Sequence, residues 1–315
     1  MSSVISPAPE MRPETGSARR GLAFLTVTGL AWGTTGAASE LVYRAGDLGP
    51  AALSFWRHLG GLALLLAFTA VRPSRPRPKS TTPIRRRAAL LIGAGIGMAV
   101  FQAGYFFAVE ATGVAVATLL TLGSGPILTA FGSRFLLGEG LGRGGLIAVA
   151  GALAGLAVLV GGNAAGVVEP AGVVWSLLSA AGYAFVTLLG RLTGRRGDGE
   201  DPFTLTMWSF GIGATVLLAP AWFEGLLPRG GDTVQTVALV AYLAVFTTAL
   251  AYPFYFAGAA LVRATTSSVM MLLEPVTATL LAVAFLGEPF TFATAAGSLI
   301  LLGSIAALAA AESRR

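Results

Sequence analysis

The sequence predicts an all-α integral membrane protein, with ten transmembrane helices arranged as two inverted five-helix repeats around a central cavity. Three observations predict it. The 315 residues are 55% hydrophobic and 11% charged, with a mean hydropathy of +0.76, whereas soluble domains carry about 25% charged residues. Only lipid can cover so much apolar surface. Apolar runs of about 20 residues, enough for a helix to cross a hydrocarbon core about 30 Å thick, recur along the whole chain. The basic residues alternate between connections, abundant in one and nearly absent from the next.

Taken in order, residues 1–20 (MSSVISPAPEMRPETGSARR) are rich in Pro and Ser and end in an arginine pair. They predict a disordered cytoplasmic tail, with no cleavage site following a short apolar core. Residues 21–162 form the first repeat, with spans at 21–42, 50–71, 88–109, 114–137 and 145–162. Residues 170–311 form the second, with spans at 170–190, 202–222, 234–257, 264–286 and 291–311. The third and fourth spans meet at the small-residue turn Ala111-Thr112-Gly113, and the eighth and ninth at Leu261-Val262-Arg263. With the N-terminus inside, 18 of the 21 basic residues fall in inside segments, counting Arg134 at the inner end of the fourth span. Only Arg44 and Arg229 lie outside, and Arg57 falls within the second span. The positive-inside rule therefore predicts a multi-pass protein of a bacterial inner membrane with both termini cytoplasmic.

The halves resemble each other. LSFWRHLGGLALLLAF (53–68) aligns with LTMWSFGIGATVLLAP (205–220), matching Trp56 to Trp208. YFFA (105–108) aligns with FYFA (254–257), Pro126 with Pro275, and LGE (137–139) with LGE (286–288). Five is odd, so a duplicated five-span unit enters the membrane the second time with opposite polarity. Such inverted repeats are a signature of secondary transporters, with the site near the midplane between the halves.

With Trp32-Gly33, the FWR at 55–57, the LGE closing the fourth span, and Glu274-Pro275 followed by LGE in the ninth, the chain resembles two tandem EamA domains of the drug/metabolite transporter superfamily, over about 290 residues. Within that superfamily it is most similar to bacterial amino-acid and paraquat exporters. The resemblance implies a basket of helices around a cavity that opens alternately to either side.

Other chemistries find no support. The one lysine, Lys79, lies in a Pro/Arg loop after Pro78, so no phosphate-binding loop for ATP is present. GAGIG (93–97) lies inside an apolar helix without a preceding strand, so Gly93 and Gly97 predict close helix approach instead. Gly29 with Gly33 and Gly151 with Gly155 repeat that spacing. A single histidine and no cysteine leave no disulfide, no metal site, no hydrolytic triad and no cofactor to expect. Basic residues without interleaved aromatics speak against nucleic acid. The expected partners are the bilayer and a small-molecule substrate, and a ten-helix bundle can form a complete pathway as a monomer.

Counted in from the span ends, Trp32, Phe101, Gln102, Ser124, Tyr183 and Glu274 fall near mid-depth. Tyr105 lies one turn outward of Phe101, and Tyr252 lies towards the cytoplasm. Each is a candidate cavity group, with interhelical packing as the alternative. Trp56, Trp208 and Trp222 read as lipid-facing or interfacial anchors. Glu274 is the sharpest candidate, because an acid at the bilayer centre costs about 2.5–3.5 kcal/mol on insertion scales. Its repeat partner is Gly125, so the charge exists in one half only. Pro275 removes a backbone donor and disturbs the preceding turn. Together they predict an irregular helix beside water, where the carboxylate binds a substrate ammonium or couples to protons; a structural hydrogen bond to a neighbouring helix is the alternative. His58 is a second, weaker candidate for proton coupling, Arg57 reads as a structural residue snorkelling outward, and Pro126 and Pro275 read as hinges.

No span contains a lysine, and apart from Arg134 at the inner end of the fourth span the one arginine, Arg57, is expected off the midplane, which argues against phosphorylated substrates. Aromatic walls with hydroxyl, amide and one carboxylate suit zwitterionic molecules such as amino acids, or hydrophobic cations held by cation–π contact. The resemblance favours broad-selectivity amino-acid export by alternating access, with a multidrug exporter of hydrophobic cations as the alternative.

Overall fold

The computed structural model describes residues 15–71, 83–136, 138, 142–161, 169–195, 202–259, 261 and 270–313. Residues 1–14 of the expected tail, Lys79, Arg263, and Leu137 and Glu139 of the first LGE lie outside the described residues. The described helices are α1 (Thr15–Ala45), α2 (Pro50–Val71), α3 (Ile84–Thr112), α4 (Val114–Leu136), α5 (Gly142–Gly161), α6 (Pro170–Arg195) and α7 (Pro202–Glu224). They continue with α8 (Thr233–Ala259), α9 (Leu273–Phe285) and α10 (Phe292–Ser313). Among the described residues there is no strand, and Gly46 and Gly231 form an isolated antiparallel bridge. α2, α3, α4, α6, α7 and α8 are long and apolar enough to cross a membrane, while α9 and the first part of α10 are shorter apolar helices. In lipid every backbone N–H and C=O must be satisfied internally, which is why apolar runs of this length fold as helices. α1 and α3 extend several residues past the expected apolar spans, because a helix need not end where the hydrocarbon does.

Helix neighbours swap in pairs as two related halves require: α3 packs on α6 and α8 on α1, and α4 packs on α6 and α9 on α1. α2 pairs with α7, its own counterpart, and α5 with α10. Small residues permit these approaches. A Cβ on Gly97 of α3 would stand 2.7 Å from Val186, and one on Gly155 of α5 would stand 2.9 Å from the Leu301 backbone nitrogen. The outward faces carry Ile147, Val174, Leu280 and Leu299, all exposed, an apolar perimeter that only lipid would cover.

At the end opposite the start of α1, the helix ends are tied together. Gly113 turns α3 into α4 with φ +81°, a left-handed conformation that glycine adopts without a Cβ penalty. Glu288, just after α9, accepts the Val114 N–H at 2.5 Å and the Ala115 N–H at 3.0 Å. Glu224 at the end of α7 accepts the Ala52 N–H of α2 at 2.7 Å. Both carboxylates thus sit at helix N-termini, where free N–H groups and the dipole favour an anion. Arg44 donates to the Leu286 carbonyl at 3.0 Å and pairs with Glu40 at 2.8 Å. Asp47 accepts the Arg229 N–H at 2.8 Å. These contacts tie α1, α2, α4, α7 and α9 together at that end.

Candidate functional site

The site begins at a break in the helix that the ninth span was expected to form. The chain is helical at Met270, turns at Met271 and Leu272, and becomes helical again from Leu273. Glu274 donates its N–H to Met271 O at 3.1 Å, and the Val276 N–H reaches Leu272 O only at 3.4 Å. Pro275 has no N–H to contribute, so the ladder cannot run through it. Glu274 therefore occupies the first turn of α9. By contrast, α4 is one unbroken helix through Pro126, so of the two candidate hinges only Pro275 stands beside a break.

α1 sets the position of that break. A Cβ on Gly29 would lie 2.9 Å from Leu273 Cβ, and one on Gly33 would lie 2.5 Å from Thr277 Cβ and 2.9 Å from the Glu274 carbonyl. The two glycines, one turn apart, let the restart of α9 settle directly on the α1 backbone. Beside Gly33, Trp32 donates Nε1–H to the Thr247 carbonyl at 3.0 Å. Its ring packs against Tyr252 and Tyr255 with centroids 5.2 and 5.3 Å away.

Thr247 belongs to a π-helical segment, Val245–Leu250, inside α8. Thr247 Oγ1 and Thr248 Oγ1 both donate to the Leu243 carbonyl, at 2.8 and 3.1 Å, so two adjacent hydroxyls share one acceptor and the turn widens. Such π-bulges occur often at functional positions. Here the widened turn receives Arg57. Its Nε–H donates to Thr248 Oγ1 at 3.0 Å and its Nη2 to the Thr247 carbonyl at 3.4 Å, with Cζ 5.5 Å from the Phe106 ring centroid. Arg57 is 6% exposed. This corrects the expectation that it snorkels outward: α2 packs against α3, α7 and α8, so this face of α2 has no path to the surface.

Glu274 is partly accessible although it lies deep among the helices, and its carboxylate has no hydrogen-bond or ion-pair partner among the described residues. Arg57, Tyr105, Tyr183 and Tyr252 are all within its electrostatic reach. Tyr183 is 42% exposed while its ring lies 5.6 Å from Phe101 and fills the space a Cβ on Gly125 would need. Tyr105 reaches Thr118 at 2.8 Å. Glu274, Trp32, Tyr105, Tyr183, Tyr252 and the partly exposed Phe101 thus gather around one interior region.

Gln102 and Ser124 are 2% and 3% exposed, and their side-chain polar atoms have no partner among the described residues. They sit within the packing rather than on an open wall. His58 is fully buried, with Nδ1 on the Ser54 carbonyl at 2.8 Å, its ring edge-on to Phe210 at 5.4 Å, and Nε2 unpartnered among the described residues. Trp208 and Trp222 are exposed on α7, whereas Trp56 is half-buried and donates to the Leu226 carbonyl at 2.6 Å. Sequence reasoning missed Tyr255, the Thr247-Thr248 turn and the burial of Arg57. A polar Thr pair in an apolar run, VFTTAL, was the available signal. Glu288 was quoted only as part of a motif; burial raises its carboxyl above the ordinary range, and the Ala115 and Val114 N–H groups offset this only in part. The described residues contain no cluster of three or more metal-ligating side chains.

Comparison with known proteins fits these features. The model of the EamA-like transporter family matches twice, over residues 19–161 and 170–310. An uncharacterized transporter of Bacillus subtilis (strain 168), YwfM, is 30% identical over 93% of this chain and 95% of its own length. An uncharacterized inner membrane transporter of Salmonella typhimurium, YicL, is 27% identical over 95% and 98%. One solved crystal structure superposes with a TM-score of 0.61 at 24% identity, covering 93% of this chain and 98% of that one, a likeness of fold. With two domains matched along nearly its whole length, the chain is a multi-pass membrane transporter and belongs to the EamA-like transporter family of the drug/metabolite transporter superfamily.

Proposed function

We propose that the protein is an ATP-independent secondary transporter that exports small zwitterionic molecules, foremost amino acids of varied side chain, by alternating access. All ten helices cross a bacterial inner membrane in this reading, both termini are cytoplasmic, and a single chain forms the pathway. The observation that carries it is Glu274: a carboxylate beside a break in its helix, without a partner among the described residues, in the region where Trp32, Phe101, Tyr105, Tyr183 and Tyr252 gather. An acid without a protein partner in so apolar a setting needs water, a proton or a cationic ligand. A substrate ammonium meets that need, and the aromatic walls accept the side chain without selecting it narrowly. The end closed by Glu288, Glu224 and Arg44 would be the external one, so the described arrangement is shut to the outside. The broken start of α9, with Pro275, is the hinge. Glu274 also serves as the proton-coupling candidate, with His58 sealed behind α7.

The Trp32–Tyr252–Tyr255 ring cluster favours a second reading, an exporter of hydrophobic cations held by cation–π contact. Counterflow in proteoliposomes with a panel of labelled amino acids, competed by quaternary ammonium compounds, decides between them. Amino-acid counterflow lost in Glu274→Gln supports the proposal; undiminished counterflow in that variant defeats the role of the carboxylate. Counterflow of quaternary cations alone replaces the first reading by the second.

A further inference from the structure

We propose that Arg57 is the carboxylate-receiving half of a dipolar substrate site whose ammonium-receiving half is Glu274. The inference rests on the reading of Glu274 given above and adds the second recognition element. A guanidinium has five N–H donors in a planar fork. Two are used, Nε towards Thr248 Oγ1 and one on Nη2 towards the Thr247 carbonyl. Both acceptors are neutral. Nη1 has no acceptor among the described residues, so one side of the fork is unused on a residue that is 6% exposed.

The charges around it define what that space accepts. Arg57 cannot shed its proton in a protein, and an uncompensated buried ion costs several kcal/mol. The acidic group within its electrostatic reach is Glu274, and the remaining groups are the Tyr252 and Tyr105 hydroxyls. Arg57 and Glu274 form no ion pair within 4 Å, although direct pairing would be the simplest way to compensate both. Two opposite charges within electrostatic reach of each other and not joined fit a ligand that carries the complementary pair. The fork geometry matches a carboxylate's two oxygens. Pinning by the π-helical turn keeps Arg57 from swinging across to Glu274: shortening that turn to an ordinary α-turn would move the Thr247 carbonyl and Thr248 hydroxyl out of register. The ligand class is therefore an amino acid with both backbone charges free, and neither an amine nor a carboxylic acid alone satisfies the site.

The test uses purified full-length protein and three probes: L-phenylalanine, L-phenylalaninamide, which lacks the carboxylate, and N-acetyl-L-phenylalanine, which lacks the ammonium. Binding is read by calorimetry and counterflow competition. In the wild type, both single-charge probes should bind at least tenfold more weakly than L-phenylalanine. Arg57→Gln should weaken L-phenylalanine at least tenfold while changing the amide less than threefold. Glu274→Gln should weaken L-phenylalanine and the amide together. Arg57→Lys keeps the charge without the fork, and its expected ratio of phenylalanine to amide affinity falls between those of the wild type and Arg57→Gln. Equal weakening of phenylalanine and amide in Arg57→Gln, or no weakening, overturns the role of Arg57 while leaving Glu274 standing. Equal affinity of the wild type for L-phenylalanine and its amide overturns it without any variant, should Arg57→Gln fail to fold. Failure of the wild type to bind any of the three defeats the amino-acid reading itself, and this inference with it.

Discussion

Glu288→Gln should loosen the closed end of the bundle by a calculable amount. The carboxylate bridges α9 to the first two N–H groups of α4, at 2.5 and 3.0 Å. A hydrogen-bond donor left without its acceptor costs about 1–3 kcal/mol. Glutamine keeps one acceptor oxygen but turns an NH₂, which cannot accept, towards the other backbone N–H. Glu288 is half-buried, which places the net loss at about 2 kcal/mol. That corresponds to about a 30-fold shift of the closed-to-open ratio, at about 1.4 kcal/mol per factor of ten. The natural chain contains no cysteine, so one introduced thiol reports without background. Ala282 is fully buried in the cluster directly beneath the seal, with Val114, Ala115 and Leu286. In an Ala282→Cys background, maleimide labelling should accelerate about 30-fold when Glu288→Gln is added, with the melting temperature nearly unchanged. Equal labelling rates in the two backgrounds would refute the assignment of Glu288 as a fastener. A fall in melting temperature that parallels the faster labelling would refute it too, by showing loss of fold in place of opening.

Three further outcomes follow from the same contacts. Because burial raises the Glu288 carboxyl above its ordinary value, the closed arrangement binds that proton more tightly than one in which Glu288 is solvated. Closure is therefore favoured as pH falls towards the ordinary carboxylate range, weakens as pH rises to the closed-state value, and is flat above it; maleimide labelling of the Ala282→Cys protein, normalised to the same protein carrying Glu288→Gln, should slow on acidification. Gly33→Ala places a Cβ 2.5 Å from Thr277 Cβ and 2.9 Å from the Glu274 carbonyl. Such overpacking costs about 1–3 kcal/mol, so the melting temperature should fall by several degrees, and substrate affinity with it, as α9 is pushed off α1. Trp32→Phe removes the Nε1–H bond to Thr247 while keeping a ring beside Tyr252 and Tyr255; a loss of about 0.5–1.5 kcal/mol should appear in calorimetry as roughly a two- to tenfold weaker substrate affinity.

How much of this was legible in the sequence depends on the range of the cause. Helix identity was legible because apolar run length is a one-dimensional property, and so was the repeat, which needs only two aligned strings. The break at Glu274 was legible because proline acts locally, on its own turn. The Gly29 and Gly33 spacing announced a close approach but could not say that α9 was the partner. The position of Arg57 was not legible. Depth counted along α2 placed it towards one surface, whereas its side chain is held by Thr247 and Thr248 of α8, far along the chain. The π-helical turn escaped for a related reason: Thr247 and Thr248 are compatible with an ordinary helix until a guanidinium and an indole require their carbonyl and hydroxyl. Gln102 and Ser124 were expected at the right depth, but depth does not determine facing, and both turn into the packing.

The two halves share helices, neighbours and motifs, yet the chemistry sits almost wholly in the asymmetry between them. Gly125 in α4 leaves room for the Tyr183 ring, while its counterpart Glu274 in α9 supplies a charge. Pro126 lies within an unbroken helix, while Pro275 stands beside a break. α3 is regular where α8 carries the π-helical turn that holds Arg57. A perfectly symmetric pair of repeats would present the same surface in both open states and bind a ligand equally in each; such a ligand shifts no equilibrium, however tightly it binds. In the proposed alternating-access cycle, substitutions confined to one repeat would allow substrate contacts to differ between the states while the shared frame keeps the states close in energy. Restoring symmetry at the charged position, by Glu274→Gly, should therefore leave a folded protein whose labelling pattern no longer responds to substrate. If the thiol introduced by Ala282→Cys still changes its labelling rate with substrate after this substitution, the asymmetry driving the cycle lies elsewhere.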